Sequence, residues 1–209
     1  MRKIIFFLMS MSSILLSQHS VPFASTNNTI ELAVANSSLT RADNISVEVT
    51  QKPSWLILEN SQVNISKLNA NETSTASFIF SVEKSAPVNN AEQVTFTVSN
   101  SSGEKWTKTL LLQVTPPEKF ELFQNYPNPF NPSTMISYQL PVISNVSLKI
   151  YDAIGREVAT LDEGVKEAGY HQNEWNARNV ASGMYIYQLI FSSEQGKKEH
   201  YRKKMLLTK

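Results

Sequence analysis

The chain has 209 residues, a formal net charge of +1, 18% charged residues and no cysteine. A charge so near neutral argues against a strongly electrostatic partner such as duplex nucleic acid. The missing cysteine excludes disulfide staples, a thiolate nucleophile, a cysteine metal site and the lipid-modified cysteine of a lipoprotein. Stability therefore has to come from apolar cores large enough to fold unaided.

The first 24 residues read as an export signal. Arg2 and Lys3 supply the positive start, and an apolar run follows from Ile4 to Leu16. That run is too short, and too interrupted by Ser10, Ser12 and Ser13, to span a bilayer as a helix. Pro22-Phe23-Ala24 then offers small Ala24 as the cleavage point, with the mature chain beginning near Ser25. About 185 residues remain, enough for one large domain or two small ones.

From Thr29 to Val114 the hydrophobic period is two, which predicts strands and not helices. Ile45, Val47 and Val49 share one face; so do Phe78, Phe80 and Val82, then Val94, Phe96 and Val98, then Leu110, Leu112 and Val114. Strands spaced by about ten residues, with Asn, Ser and Pro clusters between them, predict an immunoglobulin-like antiparallel β-sandwich over 27–115.

Pro116 and Pro117 end that domain, because adjacent prolines cannot feed a central ladder. A proline-rich strap is expected over 116–133, where Pro127, Pro129 and Pro132 stiffen the backbone and Tyr126 and Phe130 offer aromatic surface for packing. The period of two then resumes with Ile136, Tyr138 and Leu140, and with Val146, Leu148 and Ile150. Tyr151 to Arg156 reads as a turn in which Gly155 takes a positive φ. Further strands are expected up to Trp175, from Met184 to Ser193, and through the last residues to Leu207. A second β-sandwich over 134–209 makes the whole chain all-β.

The inventory for catalysis is thin. His19 lies in the expected signal, His171 and His200 fall on separate strands, and 27–115 contains no histidine. Neither a histidine-based triad nor a histidine metal site can form within that first domain. Asp162 and Glu163, beside Gly164, read as solvating residues of a turn, with a calcium site of loop oxygens left open. Six glycines leave little room for a phosphate-cradling loop. No catalytic residue, metal site or cofactor is expected, and the protein reads as a non-enzyme. Trp55 and Trp106 admit two readings, core residues or an aromatic platform for polysaccharide; the large apolar area of tryptophan favours the core. Asn-X-Ser/Thr triplets such as Asn44-Ile45-Ser46 mark a polar surface.

The stretch from about Phe120 to Lys209 resembles the C-terminal sorting domain of type IX secretion cargo. The resemblance is carried by Asn125-Tyr126-Pro127-Asn128-Pro129-Phe130-Asn131-Pro132-Ser133-Thr134, Ile150-Tyr151-Asp152 with Gly155-Arg156, Gly169, Trp175, Ser182-Gly183-Met184-Tyr185 and Lys204-Met205, in that order. It implies a small immunoglobulin-like sandwich recognised by the outer-membrane translocon of a Gram-negative bacterium, and delivery to the cell surface or the extracellular space. It also implies a surface protease and lipopolysaccharide as further partners. On this resemblance Gly183, Tyr185, Lys204 and Met205 take part in recognition, with Pro127 and Pro129 marking the start of the domain. The last strand, rich in lysine, could present its edge to a partner. The first domain resembles, more loosely, the immunoglobulin-like modules beside such domains, and a structural or adhesive passenger is expected there.

Overall fold

The computed structural model describes the backbone of 3–7 and all of 18–193, 196 and 198–209. The chain divides into two compact units, Met1–Thr115 and Pro116–Lys209.

The first unit contains β1 (Lys3–Phe7), β2 (Gln18–Val21), β3 (Asn28–Ala35), β4 (Ala42–Gln51), β5 (Leu56–Leu58), β6 (Gln62–Leu68), β7 (Thr73–Val82), β8 (Ala91–Ser99) and β9 (Lys105–Val114). They form a four-stranded sheet in the order β1-β3-β7-β5 and a five-stranded sheet in the order β2-β9-β8-β4-β6. The alternation seen in the sequence is what builds the interior: Ile45, Val47, Phe78, Phe80, Val94, Phe96, Leu110 and Leu112 join one core. Phe78 and Phe96 meet at a centroid distance of 5.2 Å. Burying each such phenylalanine contributes about 2–3 kcal/mol.

Much of the apolar run expected to be an export signal falls at 8–17 and lies outside the described residues. Its flanks are paired: β1 runs parallel to β3, and β2 runs parallel to β9. Val21 is 1% exposed within the core, and its carbonyl accepts from the Thr115 amide at 2.9 Å. Residues 18–21 therefore contribute a strand and a core side chain to this unit.

The second unit contains β10 (Glu121–Leu122), β11 (Ser133–Leu140), β12 (Ser144–Tyr151), β13 (Glu157–Lys166), β14 (Gly169–Asn176), β15 (Gly183–Ser193) and β16 (Lys198–Leu207). A three-stranded sheet β10-β11-β14 faces a four-stranded sheet β13-β12-β15-β16. All strand pairings within these two sheets are antiparallel. Tyr138, Leu148, Ile150, Tyr187, Phe191 and Trp175 fill the space between them. The β12–β13 hairpin turns at Gly155, whose φ of +86° suits the one residue without a Cβ. Asp152 holds this turn through its carboxylate, which accepts from the Ile154 and Arg156 amides at 3.1 and 2.9 Å.

Two local expectations are corrected. Tyr126 does not pack: it is 82% exposed, whereas Phe130 is 2% exposed and lies 5.4 Å from the Trp175 ring. The pairing with β11 slips by one residue between Leu122, opposite Tyr138, and Tyr126, opposite Met135, so that Asn125 takes the inward position and is 2% exposed. Asp162 and Glu163 are not in a turn but inside β13. Two register irregularities, between Leu148 and Lys149 and between Ile150 and Tyr151, reset which residues of β13 face the core. Asp162 thereby sits opposite Leu148 and points between the sheets, while Glu163 is exposed.

Candidate functional site

The sorting residues singled out from the sequence gather on one part of the second unit, the β15–β16 ribbon and the strap that leads into β11. In the ribbon Gly183 pairs with Leu207, Tyr185 with Met205 and Ile186 with Lys204. Gly183 has a φ of +150°, where a side chain is strained, so glycine is required for the chain to enter β15 in this way. Tyr185 and Met205 are 6% and 2% exposed. The Tyr185 hydroxyl donates to the Ala181 carbonyl at 2.6 Å, and its ring meets Trp175 edge-on at 5.2 Å. These two residues shape the ribbon from within, and a partner at the surface does not reach them. Lys204 is exposed, as are Pro127 and Pro129.

The strap is tied down by a polar network that the sequence did not disclose. The Pro127 carbonyl accepts from Asn125 Nδ2 at 3.0 Å and from Thr134 Oγ1 at 2.8 Å, and Asn125 Nδ2 also donates to Thr134 Oγ1 at 2.9 Å. The Asn125 amide donates to the Tyr187 hydroxyl at 2.9 Å, and that hydroxyl donates to the Phe123 carbonyl at 2.8 Å. Burial pushes the Tyr187 phenol up to about 12, against the opposing pull of the Asn125 amide. A buried asparagine and a buried tyrosine are thus satisfied by one another and by strap backbone. Three peptides of the strap, those preceding Pro127, Pro129 and Pro132, are cis.

The same strap lies along the outer edge of β16. Gln124 Nε2 donates to the Lys204 carbonyl at 2.8 Å, and the Leu206 amide donates to Asn128 Oδ1 at 2.9 Å. The Phe130 amide donates to the Leu206 carbonyl at 3.0 Å, and the Thr208 amide donates to the Phe130 carbonyl at 3.0 Å. Over Lys204 to Thr208 the edge is therefore occupied by the protein's own chain. Beyond it the Lys209 ammonium donates to the carbonyls of Arg178, at 2.8 Å, and Val180.

Elsewhere in the unit Asp162 links the two sheets. Its carboxylate accepts from the Tyr138 hydroxyl at 2.8 Å and from Asn173 Nδ2 at 3.1 Å, and Lys166 stands at 2.6 Å. Burial pushes the Asp162 carboxyl up, but Lys166, Tyr138 and Asn173 together outweigh it and hold the group below the usual carboxylate range. In the first unit Trp55 is 3% exposed, and its Nε1 donates to Glu92 Oε1 at 2.7 Å. It is a core residue and is not available to a platform. Trp106, opposite Val98 near the start of β9, is 45% exposed. His171 stacks on Tyr138 at 5.0 Å, in β14, while His200 is on β16 of the other sheet. Among the described residues no group of three or more His, Cys, Asp or Glu side chains is placed to hold a metal ion.

Residues 124–206 match the family described as Secretion system C-terminal sorting domain. No curated protein matches the chain. Among solved structures, dimeric latent PorU from Porphyromonas gingivalis overlays with a TM-score of 0.37 at 15% identity, covering 94% of this chain and 19% of that one. A protein of unknown function from P. gingivalis W83 gives 0.34 at 14% identity, covering 91% of this chain and 93% of that one. The CupB2 chaperone of Pseudomonas aeruginosa gives 0.31 at 9%, covering 90% and 97%. Overlays this loose establish no function.

Proposed function

We propose, from the premise that residues 124–206 are the C-terminal sorting domain of a type IX secretion cargo, that the β15–β16 ribbon with its strap is the part of the domain that the secretion machinery engages. The sorting domain marks the chain for export to the cell surface or the extracellular space. The observation that supports the ribbon as the contact region is the convergence there of the two ends of the matched stretch. Gln124, Asn128 and Phe130 from its beginning bond directly to Lys204 and Leu206 from its end. The motifs are far apart in sequence and form one surface in space.

The passenger at 27–115 is, in this reading, a non-catalytic structural or adhesive module. Its lack of histidine and cysteine supports this, since histidine acid–base chemistry, a thiolate nucleophile and histidine or cysteine metal ligands are then missing from it. A surface protease that removes the sorting unit and attachment to lipopolysaccharide complete the proposed route.

The test is to fuse Pro116–Lys209 to a folded reporter that carries its own inner-membrane signal, in a host with a working type IX system. Reporter at the cell surface or in the medium, dependent on that system, supports the reading. Reporter retained in the periplasm, with the fused unit folded, refutes it.

A further inference from the structure

The outward face of the β15–β16 ribbon has a composition unlike the remainder of its sheet. Successive outward positions of β16 are Lys198, His200, Arg202, Lys204 and Leu206, and all five are exposed. Their partners across the ladder are Ser192, Ile190, Gln188, Ile186 and Met184. A row of basic and polar side chains thus runs beside a row that is largely apolar, with Met184 and Leu206, paired to each other, 47% and 43% exposed at one end. Rows on neighbouring strands are about 5 Å apart, and successive outward residues about 7 Å apart. Arg202 is held in place by donation from Nε to Gln188 Oε1 at 3.0 Å. Acidic side chains of this sheet lie beyond β12, on β13, where Glu157 pairs with Lys149 of β12 at 2.9 Å and Glu163 is exposed.

The edge of the same strand is a poor site for strand addition where the motif residues lie. In an antiparallel ladder, alternate residues turn their amide and carbonyl outward. Leu206 does so, and both its groups are taken by Asn128 and Phe130; Lys204 does so, and its carbonyl is taken by Gln124. A partner strand could pair here only by displacing the strap.

We propose that the sorting unit docks through this outward face, by side chains and not by strand addition, onto a folded protein partner that presents carboxylates to Arg202 and Lys204 and apolar side chains to Met184, Ile186 and Leu206. This rests on the reading of the unit as a secretion-sorting domain and specifies its partner's chemistry. Charge complementarity selects an acidic surface. A protein is favoured over an anionic bilayer because clusters that recruit lipid headgroups carry about four to eight Lys or Arg side chains. The face has three such residues, Lys198, Arg202 and Lys204.

The experiment uses the full chain in a type IX host, with Arg202→Glu plus Lys204→Glu, Met184→Ser plus Leu206→Ser, and the charge-preserving Arg202→Lys plus Lys204→Arg. Thermal melting of each purified variant verifies that it folds. Delivery to the surface is expected to fall at least tenfold in the first two and to stay within twofold of wild type in the third. Full delivery of the folded Glu variant, with wild type delivered, overturns the docking face and leaves the sorting role standing. No delivery of wild type overturns the sorting role itself. Loss of delivery on Asn128→Leu or Gln124→Leu, with the face variants unaffected, points instead to the edge and also overturns the proposal. Cosedimentation with phosphatidylglycerol vesicles, seen for wild type and lost in the Glu variant, would transfer the face to a lipid partner; no cosedimentation of either, with delivery lost in the Glu variant, supports the protein partner.

Discussion

Replacing Asp162 by alanine is expected to loosen the second unit as a whole, because this carboxylate holds one sheet to the other. It accepts from Tyr138 on β11 and Asn173 on β14, and it pairs with Lys166 on its own strand. Lys166 is about one-third exposed and can turn to solvent after the substitution. Tyr138 cannot, since the residue is fully buried and its hydroxyl would lose its acceptor. A stranded buried hydroxyl costs about 1–3 kcal/mol, and loss of a second bond to a charged group adds to that, so a destabilisation of about 3 kcal/mol follows. For a unit of this size that corresponds to roughly 10–20 °C in Tm. Asp162→Asn keeps an acceptor for Tyr138 but loses the charge opposite Lys166, and about 1–2 kcal/mol is expected. Amide hydrogen exchange on the full chain reads the effect where it arises, over β11 and β14, with β8 and β9 as internal control. The carboxyl is held below its ordinary range, so its contribution is complete above the unfolded value near 4 and is lost as the pH falls through the lower folded value. The gap between wild type and Asp162→Asn should thus be flat from about pH 8 to 5 and should narrow below about pH 4. Protection in β11 and β14 that changes by less than about 0.5 kcal/mol in Asp162→Ala would show that the carboxylate is merely solvated, and the inter-sheet account would fail.

Further outcomes are expected elsewhere in the chain. Trp55→Ala should destabilise the first unit by about 3–5 kcal/mol and Trp106→Ala by less than about 1 kcal/mol, as read by urea midpoints. If the folded Trp106→Ala protein loses saturable polysaccharide binding seen in wild type, the passenger is a carbohydrate-binding module and not an adhesive spacer. A chain beginning at Ser25 lacks β1, β2 and the buried Val21 side chain; its first unit should be less stable by at least about 2–3 kcal/mol than the full chain, again by urea midpoint. Intact mass of the exported protein shows whether the mature form starts there. Gly183→Ala should cost about 1–3 kcal/mol through its backbone alone, since no atom crowds the added Cβ; an unchanged Tm would mean that the turn into β15 relaxes.

The layered fold was legible in alternation. Val94, Phe96 and Val98, or Leu110, Leu112 and Val114, announce their inward face because a strand repeats every two residues and each sheet must bury one side. Gly155 announced its turn for the same local reason, a φ that other residues adopt at a cost. Asp162 could not be read in this way. Its inward direction depends on two register irregularities in the β12–β13 ladder, and these belong to the pairing of two strands and not to either alone. Tyr126 failed likewise: aromatic character suggested packing, but the inward position was taken by Asn125, whose partners Thr134 and Tyr187 lie elsewhere in the chain.

By itself the sequence determined the β class, the division near Pro116-Pro117 and the motif residues of the sorting domain, because these depend on local period, on proline's missing donor and on residue identity. Only the tertiary structure decided which motif residues face outward. Met205 and Tyr185 became core and Lys204 surface through cross-strand pairing, and the strap came to lie on the β16 edge through bonds between residues some eighty positions apart, such as Asn128 with Leu206 at a separation of 78. Long-range closure of this kind is set by the free energy of the assembled core, and no window of the sequence contains it.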